Sequence, residues 1–342
     1  MSNNRNTAIF INGGAGRVIA SIPALELFAT ENPDDDFIIV CEGGTDFYKG
    51  HPVLHAKAYD NWHKNLFQEK LINMNLCTPE PYRVWEYYNQ KCSIAQAYDI
   101  GINNKGLRDL PRPVLRLNRQ EMMFGEKVVN EVKEKCKKKQ AIVFQPYGRM
   151  IQNENGMVSD GSGRSFEAEN AVNIIRKLSK KYAVIHMAEF QMEFQKHNVE
   201  EPVASPMGAD LRAWAGIILA ADYFLGCDSA GQHIVHALDK KATVVIGSTF
   251  AVNVSYPTDE NIDILDMGET KRVYSPIRIT TDEWSDRVND GIMQMNDKIE
   301  DVIIESIEKG IKGKKQDKKG KEHEASLCVW LLFYILCLAI IC

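Results

Sequence analysis

Two short stretches of this 342-residue sequence combine residue types and spacings that could do chemistry. The first is "GCDSAGQHIVHALDKKATVVIGST", residues 226–249, in which Asp228, Ser229, Ala230, Gly231 and His233 crowd one turn between apolar runs. Small residues at such a turn let a ligand approach the backbone, and a helix beginning there offers unpaired N–H groups to an anion such as a diphosphate. Ser229 would add a hydroxyl. His233, one turn further on, either hydrogen-bonds a phosphate oxygen or packs as an ordinary helix-face histidine, and His236 reads as structural. The second stretch is "INGGAGRVIA", residues 11–20, where Gly14 and Gly16 permit the same close approach. Gly14-Ala15-Gly16 with Ala20 also imitates a dinucleotide fingerprint, and Glu42 ends the following apolar run where a ribose-binding acid would stand.

These residues need elements to hold them. "ADYFLGCD" and "ATVVIG" read as buried strands, and "SAGQHIVHALDKK" between them reads as a helix. Its apolar face carries Ile234, Val235 and Leu238, and its last turn carries Lys240 and Lys241. That unit puts the polar turn at the carboxyl end of a parallel strand, where open α/β sheets bind ligands. A matching unit opens the chain, "TAIFINGGAGRVIASIPALELFAT" (7–30) and then the strand "FIIVCEGG" (37–44). Further strands are expected at "QAIVFQP" (140–146) and "YAVIHMA" (182–188). Alternating strands and helices in both halves predict an α/β fold, two Rossmann-like domains facing each other across a cleft.

The charged segment 130–140 marks the division. Residues 1–136 form the N-terminal unit and 137–311 the C-terminal one, followed by a lysine-rich linker (312–325) and a hydrophobic tail (326–342). Residues 45–125 carry little legible pattern but many aromatics, Tyr59, Trp62, Phe67, Tyr82, Trp85, Tyr87, Tyr88 and Tyr98 among them. Such rings either stack on a sugar or lipid acceptor or pack in the core. Residues 286–311 predict a long amphipathic helix, interrupted at Gly291, that packs back across both domains.

Composition limits the function classes. With 44% hydrophobic residues, 25% charged residues and a net charge of −5, the chain can bury ordinary cores and lacks the basic face of a nucleic-acid binder. Its eight cysteines form no C-x-x-C pair, which points to a reduced, cytoplasmic protein without a structural metal. A strand begins within the first ten or so residues, too early for a signal peptide. The tail "SLCVWLLFYILCLAIIC" is uncharged and, at about 17 residues, reaches the lower bound for a membrane span. It reads either as an anchor holding the body at the cytoplasmic face of a membrane or as an extension without a role.

Taken together, the two stretches resemble family 9 of the glycosyltransferases, the heptosyltransferase-like enzymes. Gly16-Arg17-Val18-Ile19-Ala20-Ser21-Ile22-Pro23-Ala24-Leu25, with a strand ending in Glu42-Gly43-Gly44, is similar to that family's opening turn and helix. Asp228-Ser229-Ala230-Gly231-Gln232-His233, followed by Gly247-Ser248-Thr249, resembles its Asp-(Ser/Thr)-Gly-x-x-His signature, with Ala230 added or standing in the glycine's place.

The resemblance implies a GT-B fold, with a nucleotide sugar on the C-terminal domain and the acceptor on the N-terminal one. It sets Asp228 and Ser229 beside the donor's diphosphate and sugar. It also implies a cation in the loop "QPYGRMIQNENGMVSDGSGRSF" (145–166) to stabilise the departing diphosphate, a place that Arg164 fits, with Arg149 second. The segment "SDGSGR" in that loop reads either as flexible enough to close over a donor or as plain surface.

One departure is chemical. Where the family carries the Asp that deprotonates the acceptor, this chain has Arg17, which stays protonated and cannot act as a base. Glu42 and Asp46 are the nearest alternatives by sequence. The expected activity is an inverting, metal-independent and cofactor-free transfer from a nucleotide-diphosphate sugar to a saccharide or glycolipid. A non-catalytic nucleotide-sugar or glycan-binding relative, a nucleotide-sugar epimerase and a dehydrogenase are the other readings.

Overall fold

A computed structural model of the chain describes residues 6–148, 152–154, 157–160, 162–189, 199, 203–206, 208–270, 272 and 291–313. Its first half runs β1 (Thr7–Ile11), α1 (Ala15–Glu31), β2 (Ile38–Cys41), β3 (Ala58–Asp60), β4 (Asn75–Cys77), α2 (Trp85–Tyr88) and α3 (Ile94–Asn103). The four strands form one parallel sheet in the order β3-β2-β1-β4. β1 and β2 are apolar because helices cover the sheet, while edge strand β4 leaves Leu76 exposed.

The second half runs α4 (Arg119–Cys136), β5 (Ala141–Gln145), β6 (Gln152–Glu154), β7 (Met157–Ser159), α5 (Ala168–Ser179), β8 (Ala183–His186), α6 (Leu211–Ala220), β9 (Tyr223–Cys227), α7 (Ala230–Ala237), β10 (Ala242–Ile246), α8 (Ala251–Val254) and β11 (Ile262–Asp266). A last helix, α9, covers 297–313. Its main sheet is wholly parallel, in the order β11-β10-β9-β5-β8. Every residue of β5, β9 and β10 is buried, which explains why these strands read as continuous apolar runs rather than alternating ones. Two parallel α/β sheets are thus the architecture the sequence predicts.

Several local expectations change. α7 stops at Ala237, because Asp239 turns left-handed at φ 54°. Lys240 therefore lies beyond the helix, and its Nζ donates to the carbonyls of Leu219 and Ala221 at 2.9 Å each. The loop after β5 contains a two-stranded antiparallel ribbon, β6 with β7. α4 leans on α6, with Gly125 and Gly216 packed backbone to backbone where any side chain would collide.

At the C-terminus, residues 291–296 are not helical and a helix covers 297–313, while residues 286–290 of the expected helix lie outside the described residues. Ile303, Ile307 and Ile311 of α9 join the second sheet's core, and Lys177 of α5 and Lys181 just beyond it pair with its Glu300 and Glu308 at 3.0 and 2.8 Å. Packing across both domains, expected from the amphipathic pattern, gives way in the described residues to packing on this half, since the four-residue repeat of isoleucines matches one apolar face. No helix among the described residues is long and apolar enough to cross a membrane, and the tail 326–342 lies outside them.

The poorly patterned region 45–125 supplies much of the first core. Tyr48, Tyr87 and Tyr98 are fully buried, whereas Trp62 is 87% exposed. It also joins the halves. Asn253 Nδ2 donates to the carbonyls of Tyr87 and Cys92, and Arg112 Nη1 donates to the His236 carbonyl. Arg212 ties α6 to Glu121 and to the Asp46 and Arg116 carbonyls.

Candidate functional site

Between the carboxyl ends of the two sheets lies a cavity of about 860 Å³. Strand order reverses at β1/β4 in one sheet and at β5/β9 in the other, and neighbouring loops diverge at such points to leave a crevice. One wall carries Gly14, Gly16, Arg17, Glu42 and Tyr87, and the other Gln145, Arg164, Asp228, Ser229, Ala230 and His233. The structure therefore brings together nearly all the residues singled out by sequence, from positions more than 200 apart in the chain.

The second-half wall is tightly wired. Gln145, last residue of β5, bridges the strand reversal: its Nε2 donates to Ser229 Oγ and its Oε1 accepts from Gly231 N, both at 3.0 Å. Gly231 itself does not line the cavity; it is a glycine because a Cβ would run into Gln145 and Phe224. Asp228 Oδ1 accepts from Gln232 Nε2 at 2.8 Å, and Oδ2 accepts from Thr249 Oγ1 at 3.0 Å. Burial pushes the Asp228 carboxyl up, and Arg164, whose Nη1 stands 4.0 Å from Oδ2, pulls it partly back. α7 begins at this turn with no side-chain cap and no acidic residue in its first turn. Apart from Gly231 N–H, which Gln145 holds, its amino end is therefore available to an anion.

Arg164 is held in place. Its Nε donates to Ser162 Oγ at 3.1 Å, and Ser162 Oγ donates in turn to Asp160 Oδ1 at 2.5 Å. Ser165 Oγ also donates to Asp160 and accepts from Gly148 N at 2.9 Å. Burial works against the Arg164 charge, but Asp228 and Asp160 outweigh it and leave the guanidinium above its ordinary value. The segment read from sequence as flexible is thus pinned at 162–166, with Ser162 and Ser165 buried. Arg149 lies outside the described residues.

The first-half wall is more open. Gly13 adopts φ +96° with its N–H on Glu42 Oε2 at 2.6 Å, and the Arg17 side chain folds across the place a Cβ would need. Arg17 Nη1 donates to the Asn12 carbonyl at 3.1 Å, and its guanidinium lies over the Tyr82 ring at 4.4 Å. Burial opposes its charge; Tyr82, Tyr98 and Glu80 overcome that, so Arg17 is raised and stays a cation. α1 also starts without a side-chain cap or an early acidic residue. Asp46, the other acid close in sequence, is absent from the cavity lining and pairs with Lys49 on the surface at 2.5 Å.

Where the walls meet, a Cβ on Gly16 would come within 2.7 Å of His233 Cδ2. His233 Nδ1 and the Tyr256 hydroxyl are 2.6 Å apart, and burial lowers this histidine to about 3, so it is neutral at pH 7. His236 stacks on Tyr256 at 3.6 Å and bonds Asp259 at 2.7 Å, the structural part expected of it.

Among the described residues no cluster of three or more His, Cys, Asp or Glu side chains could hold a metal ion. The chain does contain a D-x-D triplet, Asp34-Asp35-Asp36, but it precedes β2 and is engaged elsewhere: Asp35 accepts from Thr7 N and Oγ1, and Asp36 pairs with Lys57. Gln145, Tyr82 and Tyr87 are among the lining residues that sequence reasoning did not place in the site, as are the acids Glu189 and Asp210. Gln145 had a signal, being the lone polar residue of an apolar strand. The tyrosines had none, because 45–125 gave no register from which to orient them.

No protein-family model matches the chain, and no curated protein matches it by sequence. Solved structures do match its fold. A glycosyl transferase of family 9 from Veillonella parvula superposes with a TM-score of 0.64 at 11% identity, covering 91% of this chain and 98% of that one. The E. coli ADP-heptose LPS heptosyltransferase II gives 0.60 at 10% identity, over 91% and 99%. The dodecameric iron-containing heptosyltransferase TibC, solved with ADP-D-beta-D-heptose, gives 0.52 at 10% identity, over 90% and 77%. Over nine-tenths of its length this chain has the GT-B fold of the heptosyltransferases.

Proposed function

We propose that the protein is a glycosyltransferase that moves a sugar from a nucleoside-diphosphate donor to an acceptor hydroxyl. One observation carries this reading: the uncapped start of α7 and the pinned Arg164 share one wall of a cavity at the strand reversal. N–H groups and a fixed cation are what a departing diphosphate requires. The neighbours of like fold include ADP-heptose enzymes, which supports an ADP-sugar as the first donor to try.

In the proposed reaction the acceptor oxygen attacks the anomeric carbon while the bond from that carbon to the phosphate oxygen breaks. The electron pair leaves with the diphosphate, where Arg164 and the α7 amino end offset the new charge. Glu42 takes the acceptor's proton, because it lines the cavity and Arg17 cannot serve as base. A single displacement inverts the anomeric centre and calls for neither metal nor cofactor. Asp228 and Ser229 border the donor sugar and diphosphate, and Asp228 positions Arg164. The acceptor is a saccharide or glycolipid. The tail 326–342 as a membrane anchor is a separate proposal, tested by fractionating the full chain beside one ending at residue 325; a soluble full chain rejects it.

Arg17 in the base's expected place favours a second reading, a non-catalytic nucleotide-sugar or glycan binder. Titration of the full chain with ADP, UDP, GDP and their sugars, followed by an assay for nucleoside-diphosphate release, separates the two. Binding that weakens in Arg164→Ala together with release supports the transferase. Binding without release with every sugar acceptor supplied supports the binder, and a response to NAD alone rejects both.

A further inference from the structure

On the glycosyltransferase reading, the open question is what Arg17 does. It is a permanent cation in the first turn of α1, facing the cavity from the wall opposite Arg164. Among the described residues no carboxylate lies within ion-pair distance of it. Glu42 on the same wall gives an oxygen to Gly13 N, and Glu80 acts on Arg17 only through its field. Its surroundings are aromatic hydroxyls instead, with Tyr82 beneath the guanidinium and Tyr98 beside it. Tyr87 lines the same cavity, is fully buried, and has a hydroxyl with no hydrogen-bond partner among the described residues.

A half-buried cation without a counter-ion and a buried hydroxyl without a partner are both costly unless a ligand completes them. The donor's diphosphate already has its own cation, Arg164, with the α7 amino end beside it. We infer that Arg17, with Tyr87, seats an anionic substituent of the acceptor, a carboxylate or a phosphate, close to the hydroxyl that is glycosylated. Arg17 is then a specificity residue: it replaces a base by an anchor and restricts the enzyme to acidic sugar acceptors. The planar guanidinium, held over the Tyr82 ring, presents a fork that matches either anion.

The test is calorimetric titration of the full chain with three probes, glucose 6-phosphate, glucuronate and methyl glucoside, with and without saturating ADP. At least one acidic sugar should bind about tenfold more tightly than the neutral one. The acidic sugar that gains more tells a phosphate site from a carboxylate site. Arg17→Ala should erase the difference, Arg17→Lys should keep part of it, and Tyr87→Phe should reduce it several-fold, with ADP affinity unchanged in all three. Arg164→Ala should instead weaken ADP. Equal affinity for the three sugars overturns the inference, and so does an Arg17→Ala loss of ADP binding as large as the loss of sugar binding. If ADP, UDP and GDP all fail to bind the unaltered chain, the transferase reading falls, while the sugar titrations without nucleotide still decide the role of Arg17. Melting midpoints of Arg17→Lys and Arg17→Ala equal to the parent's exclude misfolding as the cause.

Discussion

Gly13–Arg17 and Asp228–Gly231 both follow a strand at a reversal of strand order and both open a helix without a side-chain cap. By contrast α3 and α4 are closed by capping boxes, Ser93 with Gln96 and Asn118 with Glu121. The two turns differ in how their polar groups are committed. At the second, Gln145 bonds Ser229 and Gly231, Asp228 accepts from Gln232 and Thr249, and Arg164 is braced by Ser162. At the first, among the described residues Arg17 reaches a carbonyl and aromatic neighbours but no carboxylate, and Glu42 holds one glycine N–H. A locked wall suits a group that is the same in every turnover, the diphosphate. A wall with uncommitted donors and acceptors suits the partner that determines specificity, because its groups gain their partners only when that ligand arrives.

The comparison can be broken most decisively at Glu42. Glu42→Gln keeps an acceptor for Gly13 N–H but removes the proposed base, so kcat for nucleoside-diphosphate release should fall about 10²–10⁴-fold with donor affinity intact. A fall of less than about threefold would remove Glu42 from the chemistry. On the locked wall, Arg164→Ala should cost about 10²–10³ in kcat, with partial recovery in Arg164→Lys, since a point charge replaces part of the fork. An undiminished kcat would show that the α7 amino end suffices.

Three further tests read stability. Gln145→Leu leaves Ser229 Oγ and Gly231 N without partners and should destabilise the fold by about 1–3 kcal/mol in urea unfolding, whereas a neutral result would mean that the wall is not locked through Gln145. His233, lowered to about 3, must take up a proton on unfolding below its free value of 6.5. The unfolded chain then binds more protons, so stability is full above about pH 6.5 and declines as pH falls toward 3, by about 1 kcal/mol between pH 7 and 5.5. His186, lowered to about 4 by burial, adds in the same direction. His233→Gln should flatten the decline by about half, and an unchanged slope would place the proton uptake elsewhere. The smallest effect is expected at Asp46, whose partner Lys49 is as exposed as it is. Asp46→Asn should shift stability by no more than about 0.5 kcal/mol and leave turnover unchanged.

Much of this was legible in one dimension. Buried parallel strands must be continuously apolar, so "TAIFI", "AIVF" and "ATVVI" declared themselves, and the small residues after them marked the turns. The residues from 45 to 125 stayed opaque because short edge strands and single-turn helices have no repeat long enough to detect. For the same reason Tyr82 and Tyr87 could be counted as aromatics but not assigned to the cavity.

The sequence by itself determined the two strand-turn-helix units, the permanent charge of Arg17 where a base was expected, and the acids close to it. Only the tertiary structure placed Glu42 on the cavity and Asp46 on the surface. It also joined Gln145 to Ser229 across the strand reversal, braced Arg164 through Ser162, and left Arg17 without a counter-ion among the described residues. The physical reason is one of range. Helix starts and strand interiors follow from neighbours a few residues apart, whereas a charge acquires its partner, or fails to, from chain that is remote in sequence and adjacent only after folding.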